Sequence, residues 1–194
     1  MQLIRMFSTE KYKGTRNYLS TQKKYEIMRT ALYFIISLSL FAAGWITTKS
    51  RLNLLTVVAV LGCLPACKSA VGMIMFLRYN GCSKEAADTI IQHSQGLSGL
   101  YDMVFTSYDK NFQIAHITVK GNTLCGYTQD VKFDEQAFYK HIDGILKADN
   151  FRETSVKIFS DLNKYTERLE QLKALSAEES NTEGIINTLK SVSL

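Results

Sequence analysis

The chain has 194 residues, of which 46% are apolar, and a formal net charge of +5. These totals alone would indicate one soluble domain with an adequate core. The positive charge does not indicate nucleic-acid binding, because residues 1–30 hold seven Lys and Arg against two Asp and Glu, whereas residues 79–194 hold 12 against 16. The larger part therefore has no basic excess with which to bind a phosphate backbone.

Two apolar runs change the prediction from a soluble protein to a membrane protein. Residues 31–48 contain no charged side chain, and residues 54–77 contain only Lys68. As helices they would be roughly 27 and 36 Å long, which matches a hydrocarbon layer of about 30 Å. Neither run has the polar stripe of a helix in a soluble core. We predict a transmembrane hairpin over residues 31–78, between a basic segment at 1–30 and a domain at 79–194.

The charges that flank the hairpin predict its orientation. The seven cations before the first run outnumber the two in the connecting loop, Lys49 and Arg51. Positive charge is retained on the cytoplasmic side of a membrane, so we expect both termini in the cytoplasm and the loop outside. The predicted location is the plasma (inner) membrane, with the lipid bilayer as the first partner.

The second run contains two residues that are unusual in a membrane helix, Pro65 and Lys68. Pro65 removes a backbone donor, and a cation at membrane depth is costly. In one interpretation Lys68 reaches the cytoplasmic interface and the part after Pro65 runs obliquely. In the other, Lys68 and Pro65 mark a contact with another membrane subunit, whose helix packs on small residues of this run, namely Ala66, Ser69, Ala70 and Gly72.

Neither a metal site nor a cofactor site is predicted. Cys63 and Cys67 lie inside the second run, Cys82 and Cys125 are isolated, and the three histidines stand at no zinc-ligand spacing. The chain has no Walker loop, no G-x-G-x-x-G sequence and no G-x-S-x-G sequence. We expect no catalytic activity, no cofactor and no metal.

The domain at 79–194 is predicted to be α+β. Ser83 is a candidate N-cap for a helix through residue 95. Strands are expected at 100–107, 112–119 and 123–128, joined by turns at Asp109 and at Gly121-Asn122. Helices are expected at 134–148 and 154–175, followed by a short amphipathic segment. The predicted fold is therefore a helix, a three-stranded antiparallel meander and C-terminal helices, carried on the membrane hairpin.

This order of elements over residues 84–148 resembles the core of the restriction-endonuclease-like, nuclease-related fold on a two-pass membrane anchor. Members of that family place an Asp on one strand and a Glu-x-Lys motif on the next. Here Asp102 lies on the first strand, and Thr118-Val119-Lys120 ends the second. The resemblance implies a degenerate nuclease scaffold, with Asp102 and Lys120 as the remaining candidates, because a Thr replaces the second carboxylate that a magnesium ion requires.

An apolar stripe with a/d spacing predicts a helix contact in the last third of the chain. Its members recur at intervals of 4, 3, 4 and 3. They are Ile158, Leu162, Tyr165, Leu169 and Leu172. The stripe either packs on the domain's own sheet or contacts a partner helix, and we take it as the cytoplasmic partner contact.

Together these features predict a two-pass membrane protein whose cytoplasmic domain serves as a non-catalytic accessory or scaffolding subunit of a membrane complex. Other membrane subunits or a second copy of the chain are the expected partners, and nucleic acid is not. The alternatives are a membrane-tethered nuclease-like effector and a small-molecule sensor at the cytoplasmic face.

Overall fold

A computed structural model describes residues 12–50, 53–151, 153–175 and 181–194. Arg5, Lys11 and Arg51, three of the cations used to predict orientation, lie outside the described residues. The chain divides into two compact units. One comprises Leu19–Asn80, and the other comprises residues 12–18 together with Gly81–Leu194.

The first unit is a helical hairpin. Helix α1 spans Tyr18–Thr48 and helix α2 spans Leu54–Arg78, so α1 begins well before the apolar run. Asn53 caps α2 by accepting a hydrogen bond from Thr56 N at 2.8 Å, and α2 is continuous through Pro65. By length and composition both helices could cross a membrane. The unit is therefore compatible with a membrane hairpin.

Small and polar side chains form the contact between α1 and α2. A Cβ atom on Gly62 would lie 2.7 Å from Ser37 Oγ, and Thr30 Oγ1 lies 2.8 Å from Ser69 Oγ. Ala59, Ala66 and Ser69 are buried on the same face as Gly62, at helical spacings of three and four. Small residues let two helix backbones approach closely in a membrane. Ser69 and Gly62 therefore serve the hairpin's own contact, which corrects the prediction that Ser69 receives a partner's helix.

Beyond Thr30, a charged group joins the two helices. The guanidinium of Arg29 pairs with Glu26, which is 3% exposed. Arg29 Nε also donates to Ser69 Oγ at 3.3 Å, and Gln22 Nε2 donates to Glu26 Oε1 at 3.2 Å. The Glu26 carboxylate is thus neutralised and hydrogen-bonded where it is removed from water, which is the condition under which a buried charge is tolerated.

The second unit contains a four-stranded mixed sheet. Its strands are β1 (Ser98–Thr106), β2 (Asn111–Lys120), β3 (Thr123–Tyr127) and β4 (Ser155–Phe159), in the order β1-β2-β3-β4. The meander of β1, β2 and β3 is antiparallel, as predicted. Strand β4 is parallel to β3 and follows the crossover helix α4 (Glu135–Ala148). The sheet is mixed and has four strands, so the prediction of three antiparallel strands was incomplete.

Helices cover both faces of this sheet. Helix α4 and helix α6 (Thr182–Val192) contribute Phe138, Ile142, Leu146, Ile185 and Leu189 to one apolar cluster. Helix α3 (Lys84–His93) and helix α5 (Leu162–Ala174) contribute to a second cluster. The unit is thus a three-layer α/β/α sandwich, in which Ser83 and Asp134 act as the N-caps of α3 and α4.

The predicted helix at 154–175 is wrong in its first part. Ser155–Phe159 forms β4, and α5 begins only after Asp161, whose side chain accepts a hydrogen bond from Asn163 N. The sequence Ser-Val-Lys-Ile-Phe alternates polar and apolar residues with a period of two, which favours a strand. Ile158 therefore belongs to a strand, and the a/d spacing from Ile158 to Leu162 does not lie on one helix.

Candidate functional site

Asp102, a candidate nuclease residue, anchors the segment that enters the domain after α2. Its side chain is 3% exposed, and its Oδ1 accepts a hydrogen bond from Cys82 N at 2.7 Å. A Cβ atom on Gly81 would lie 3.1 Å from Asp102 Oδ2. Asp102 has a φ of 56°, a conformation in which Asp and Asn are tolerated better than most residues. These contacts give the carboxylate a structural role.

Lys120, the second candidate, is the last residue of β2. Its Nζ donates to the carbonyl oxygen of Lys173 at 3.1 Å, in the last turn of α5. A cation at this position satisfies a terminal carbonyl and interacts favourably with the helix dipole. Lys120 pairs with Thr123, whereas Asp102 lies beyond the Tyr101–His116 pair. Roughly 16 Å of strand separates the two, at about 3.3 Å per residue, so they do not form one site.

Thr118, which stands where the family motif has a carboxylate, belongs to a buried polar group. Its Oγ1 lies 3.2 Å from Tyr165 OH, and Tyr165 OH lies 2.7 Å from His116 Nδ1. All three side chains are at most 1% exposed. Burial lowers the pKa of His116 to about 3 and raises that of Tyr165. The three groups satisfy one another inside the core and join α5 to β2.

The described residues contain no cluster of three His, Cys, Asp or Glu side chains that could hold a metal ion. The polar groups that a nuclease would use instead hold the sheet, the helix α5 and the entry segment in place.

The apolar stripe is buried in the domain's own core. Tyr165, Leu169 and Leu172 are 0% exposed and belong to the cluster between α5 and the sheet, against which Leu162 also packs. Ile158 is buried in the other cluster. The prediction that these residues form the cytoplasmic partner contact is corrected, because four of the five side chains are buried and Leu162 is partly buried against the second cluster.

The two unusual residues of α2 have a different environment. Pro65 and Lys68 are both exposed, whereas their neighbours Ala66 and Ser69 are buried. Since Ser69 contacts Thr30 of α1, Lys68 lies at the level of the first residues of the apolar run in α1. Contact of Lys68 and Pro65 with another subunit stays a prediction, and both side chains are accessible for it.

A groove that the sequence did not reveal lies beside the β1–β2 turn and α4. Its volume is about 660 Å³, which is within the usual range for small-molecule sites. The ring of His141 stacks on Phe112 at a centroid distance of 5.9 Å, and Lys110 and Lys140 also line the groove. Gly144 in α4 has nothing within 4 Å of a Cβ position. In the sequence, a feature that could have indicated the groove is Gly144, a glycine inside a predicted helix.

These observations define a class by architecture, a helical hairpin joined to a three-layer α/β/α domain. The chain matches no protein-family model, no curated protein and no solved structure.

Proposed function

We propose that the chain is a two-pass membrane protein whose hairpin crosses the bilayer and whose α/β/α domain is a non-catalytic accessory or scaffolding module on the cytoplasmic side. The exposure of apolar side chains on both helices carries the proposal. Ile46, Leu54 and Leu64 are 77%, 79% and 67% exposed, and only 17% of the most apolar 18-residue window of each helix is buried. A core helix of a soluble protein would bury most of that window.

A bilayer is the environment that fits these surfaces. At about 1.5 Å per residue, α2 is roughly 37 Å long, enough to cross a hydrocarbon layer of about 30 Å. The contact between the helices uses Ser37, Gly62, Thr30 and Ser69, which leaves the large apolar side chains to face outward. This distribution is typical of membrane helices, whose outward surface meets lipid tails.

The second unit supports an even number of crossings. Residues 12–18 lie before and at the start of α1, and Gly81 follows α2, yet both segments belong to the same compact unit. Gly14 O accepts a hydrogen bond from Tyr101 N at 2.8 Å. This contact supports a hairpin whose two flanks lie on the same side of the membrane. The cations of the described N-terminal flank, Lys13, Arg16, Lys23, Lys24 and Arg29, favour the cytoplasmic side.

Cysteine labelling in intact cells tests this topology, on a background without the native cysteines. A Cys at Ser50, in the loop between the helices, should react with an impermeant reagent, whereas a Cys at the fully exposed Tyr108 should react only after lysis. Labelling of Tyr108→Cys but not Ser50→Cys in intact cells would reverse the orientation, and labelling of neither would contradict membrane crossing.

The accessory role predicts a membrane partner at the exposed face of Pro65 and Lys68. Lys68→Leu should ease membrane insertion, but by less than the roughly 2.5 to 3.5 kcal/mol that a cation costs at mid-bilayer, because Lys68 lies at the level of the first residues of the apolar run in α1. It should also weaken co-purification of a partner in mild detergent. Val71→Leu, at a neighbouring exposed position, is the control and should change neither. Undiminished co-purification with Lys68→Leu would remove the evidence for this contact.

The groove at α4 favours a second candidate function, binding of a small aromatic anion. His141, which stacks on the buried Phe112, offers a ring surface, and Lys140 offers a cation. Glycine in a helix costs about 1 kcal/mol relative to alanine, yet no packing contact requires Gly144. An aromatic carboxylate such as 4-hydroxybenzoate should raise the melting temperature. Gly144→Phe should abolish the shift, whereas Gln136→Phe, at an exposed position of α4 that does not line the groove, should keep it. No shift in the parent protein would exclude this ligand class.

A further inference from the structure

Residues 12–18, which we call the strap, are an integral part of the domain although the hairpin separates them from it in sequence. Arg16 Nη2 lies 2.6 Å from Asp88 Oδ1 of α3. Lys13 Nζ donates to Ser193 O at 2.6 Å and to Lys190 O at 3.3 Å, at the end of α6. The strap thus contacts helices on both faces of the sheet.

The strap also covers part of the sheet's edge. Strand β1 is an edge strand, and its Tyr101 N–H donates to Gly14 O at 2.8 Å. Farther along β1, Val104 O accepts a hydrogen bond from Leu194 N, and Phe105 forms a bridge with Ser193. The hydrogen bond from Lys13 to Ser193 connects the two segments that cover β1, namely the strap and the C-terminal residues. An uncovered edge strand invites pairing with other chains, so the strap completes the sheet.

We propose that the strap is a topological latch, which closes only when both ends of the hairpin are on the same side of the membrane and thereby favours the crossing of α2. This inference rests on the proposed membrane hairpin. If α2 failed to cross, the domain and the strap would lie on opposite sides, and every strap contact would be lost. Helix α2 is the span that benefits, because it carries Pro65 and Lys68.

Gly14 is the position at which a single substitution should disrupt the latch. It has a φ of +78°, and a Cβ atom there would lie 2.4 Å from Leu100 Cδ2. Gly96 is a matched control, since its φ is +80° and nothing lies within 4 Å of its Cβ position. Gly14→Ala and Gly96→Ala therefore introduce similar backbone strain, and only Gly14→Ala should separate the strap from β1.

The latch is tested in the full-length chain with α2 weakened by Leu64→Lys, at a position that is 67% exposed. In this background Gly14→Ala should raise the fraction of molecules whose Tyr108→Cys is labelled from outside several-fold, whereas Gly96→Ala should leave it unchanged. Equal fractions for the two variants would overturn the latch. Absence of outside labelling at both Ser50→Cys and Tyr108→Cys in the otherwise unaltered chain would instead overturn the membrane hairpin.

A charge exchange separates loss of the latch from misfolding. Arg16→Asp places two carboxylates together and should increase outside labelling of the domain in the same background. Adding Asp88→Arg restores an opposite pair at the position where the atoms lie 2.6 Å apart, and should return the labelled fraction to that of the Leu64→Lys parent. Failure of the second change to rescue the first would count against the latch.

Discussion

Ser37 of α1 and Gly62 of α2 face each other near the middle of the hairpin. A Cβ atom on Gly62 would lie 2.7 Å from Ser37 Oγ and 3.8 Å from Ser37 Cβ. While the Ser37 hydroxyl is present, the close approach leaves room for only a hydrogen at position 62. It also sets the register that brings Thr30 next to Ser69 two turns farther along.

This relationship predicts a disulfide. Paired cysteines at Ser37 and Gly62, on a background without the native cysteines, should cross-link under mild oxidation, because disulfides have Cβ–Cβ distances of about 3.5 to 4.5 Å. Cysteines at Leu38 and Leu61, which are both exposed, should cross-link far less within one chain. Cleavage of the loop followed by non-reducing electrophoresis measures the linkage. Equal yields for the two pairs would contradict the hairpin register.

The structural role of Asp102 predicts that its charge is dispensable. Asp102→Asn keeps an oxygen to accept from Cys82 N and suits a φ of 56°, so the melting temperature and any cellular phenotype should persist. Asp102→Val should cost about 1 to 3 kcal/mol, because a β-branched residue is strained at positive φ. If Asp102 were a metal ligand, removal of its charge would weaken metal binding without lowering the melting temperature. Loss of the phenotype in Asp102→Asn with an unchanged melting temperature would revive the nuclease hypothesis.

Lys120 provides the companion test. Lys120→Met removes one hydrogen bond to the end of α5, and should cost about 0.5 to 1.5 kcal/mol. The phenotype should survive, since the apolar stem of the side chain is retained. Thermal melting and complementation of a deletion strain measure the two effects. An unchanged melting temperature combined with a lost phenotype would indicate chemistry at Lys120.

The buried stripe predicts that Leu169 is essential for folding. Leu169→Glu introduces an unpaired charge at a position that is 0% exposed, which should cost several kcal/mol and unfold the domain. Lys164→Glu, on the exposed side of α5, should have little effect on stability. Protease resistance of the domain distinguishes the two variants. A folded Leu169→Glu protein that has lost its partner would instead restore the stripe as a docking surface.

The buried His116 predicts that the domain is less stable in mild acid. Burial lowers its pKa to about 3 in the folded state, whereas the pKa in the unfolded chain is about 6.5. The unfolded state therefore binds the extra proton, and stability is full above pH 6.5 and falls as the pH decreases toward 3. The slope from this group is at most about 1.4 kcal/mol per pH unit.

Melting temperatures at pH 7.5 and pH 5.0 measure this effect, in a range above most carboxyl pKa values. His116→Leu should reduce the difference between the two temperatures, although it lowers both by removing the bond to Tyr165. His93→Gln, at an exposed position paired with Glu170, should keep most of the difference. An unchanged difference in His116→Leu would assign the acid sensitivity to other groups.

Sequence alone determined the elements whose signals are local. The two apolar runs, the Ser83 cap and the Gly121-Asn122 turn each depend on neighbouring residues. Helix α3 and the three strands of the meander were therefore predicted within a few positions, whereas α1 begins well before its apolar run. Strand β4 was predicted as the beginning of a helix. Its five residues lie directly before an amphipathic helix, and their apolar side chains continue the spacing of that helix. Only pairing with β3, which is distant in sequence, makes that segment a strand.

The tertiary structure determined which face of each helix or strand is buried and which residues pack against that face. The a/d stripe was compatible with a partner helix or with the domain's own sheet, because spacing defines a face and not its neighbour. Asp102, Lys120 and Thr118 kept the order of a degenerate motif, yet the contacts with Cys82, Lys173 and Tyr165 gave them structural roles. The strap's contact with β1 joins residues on either side of the hairpin. Such contacts depend on distances across the fold, which a linear pattern does not contain.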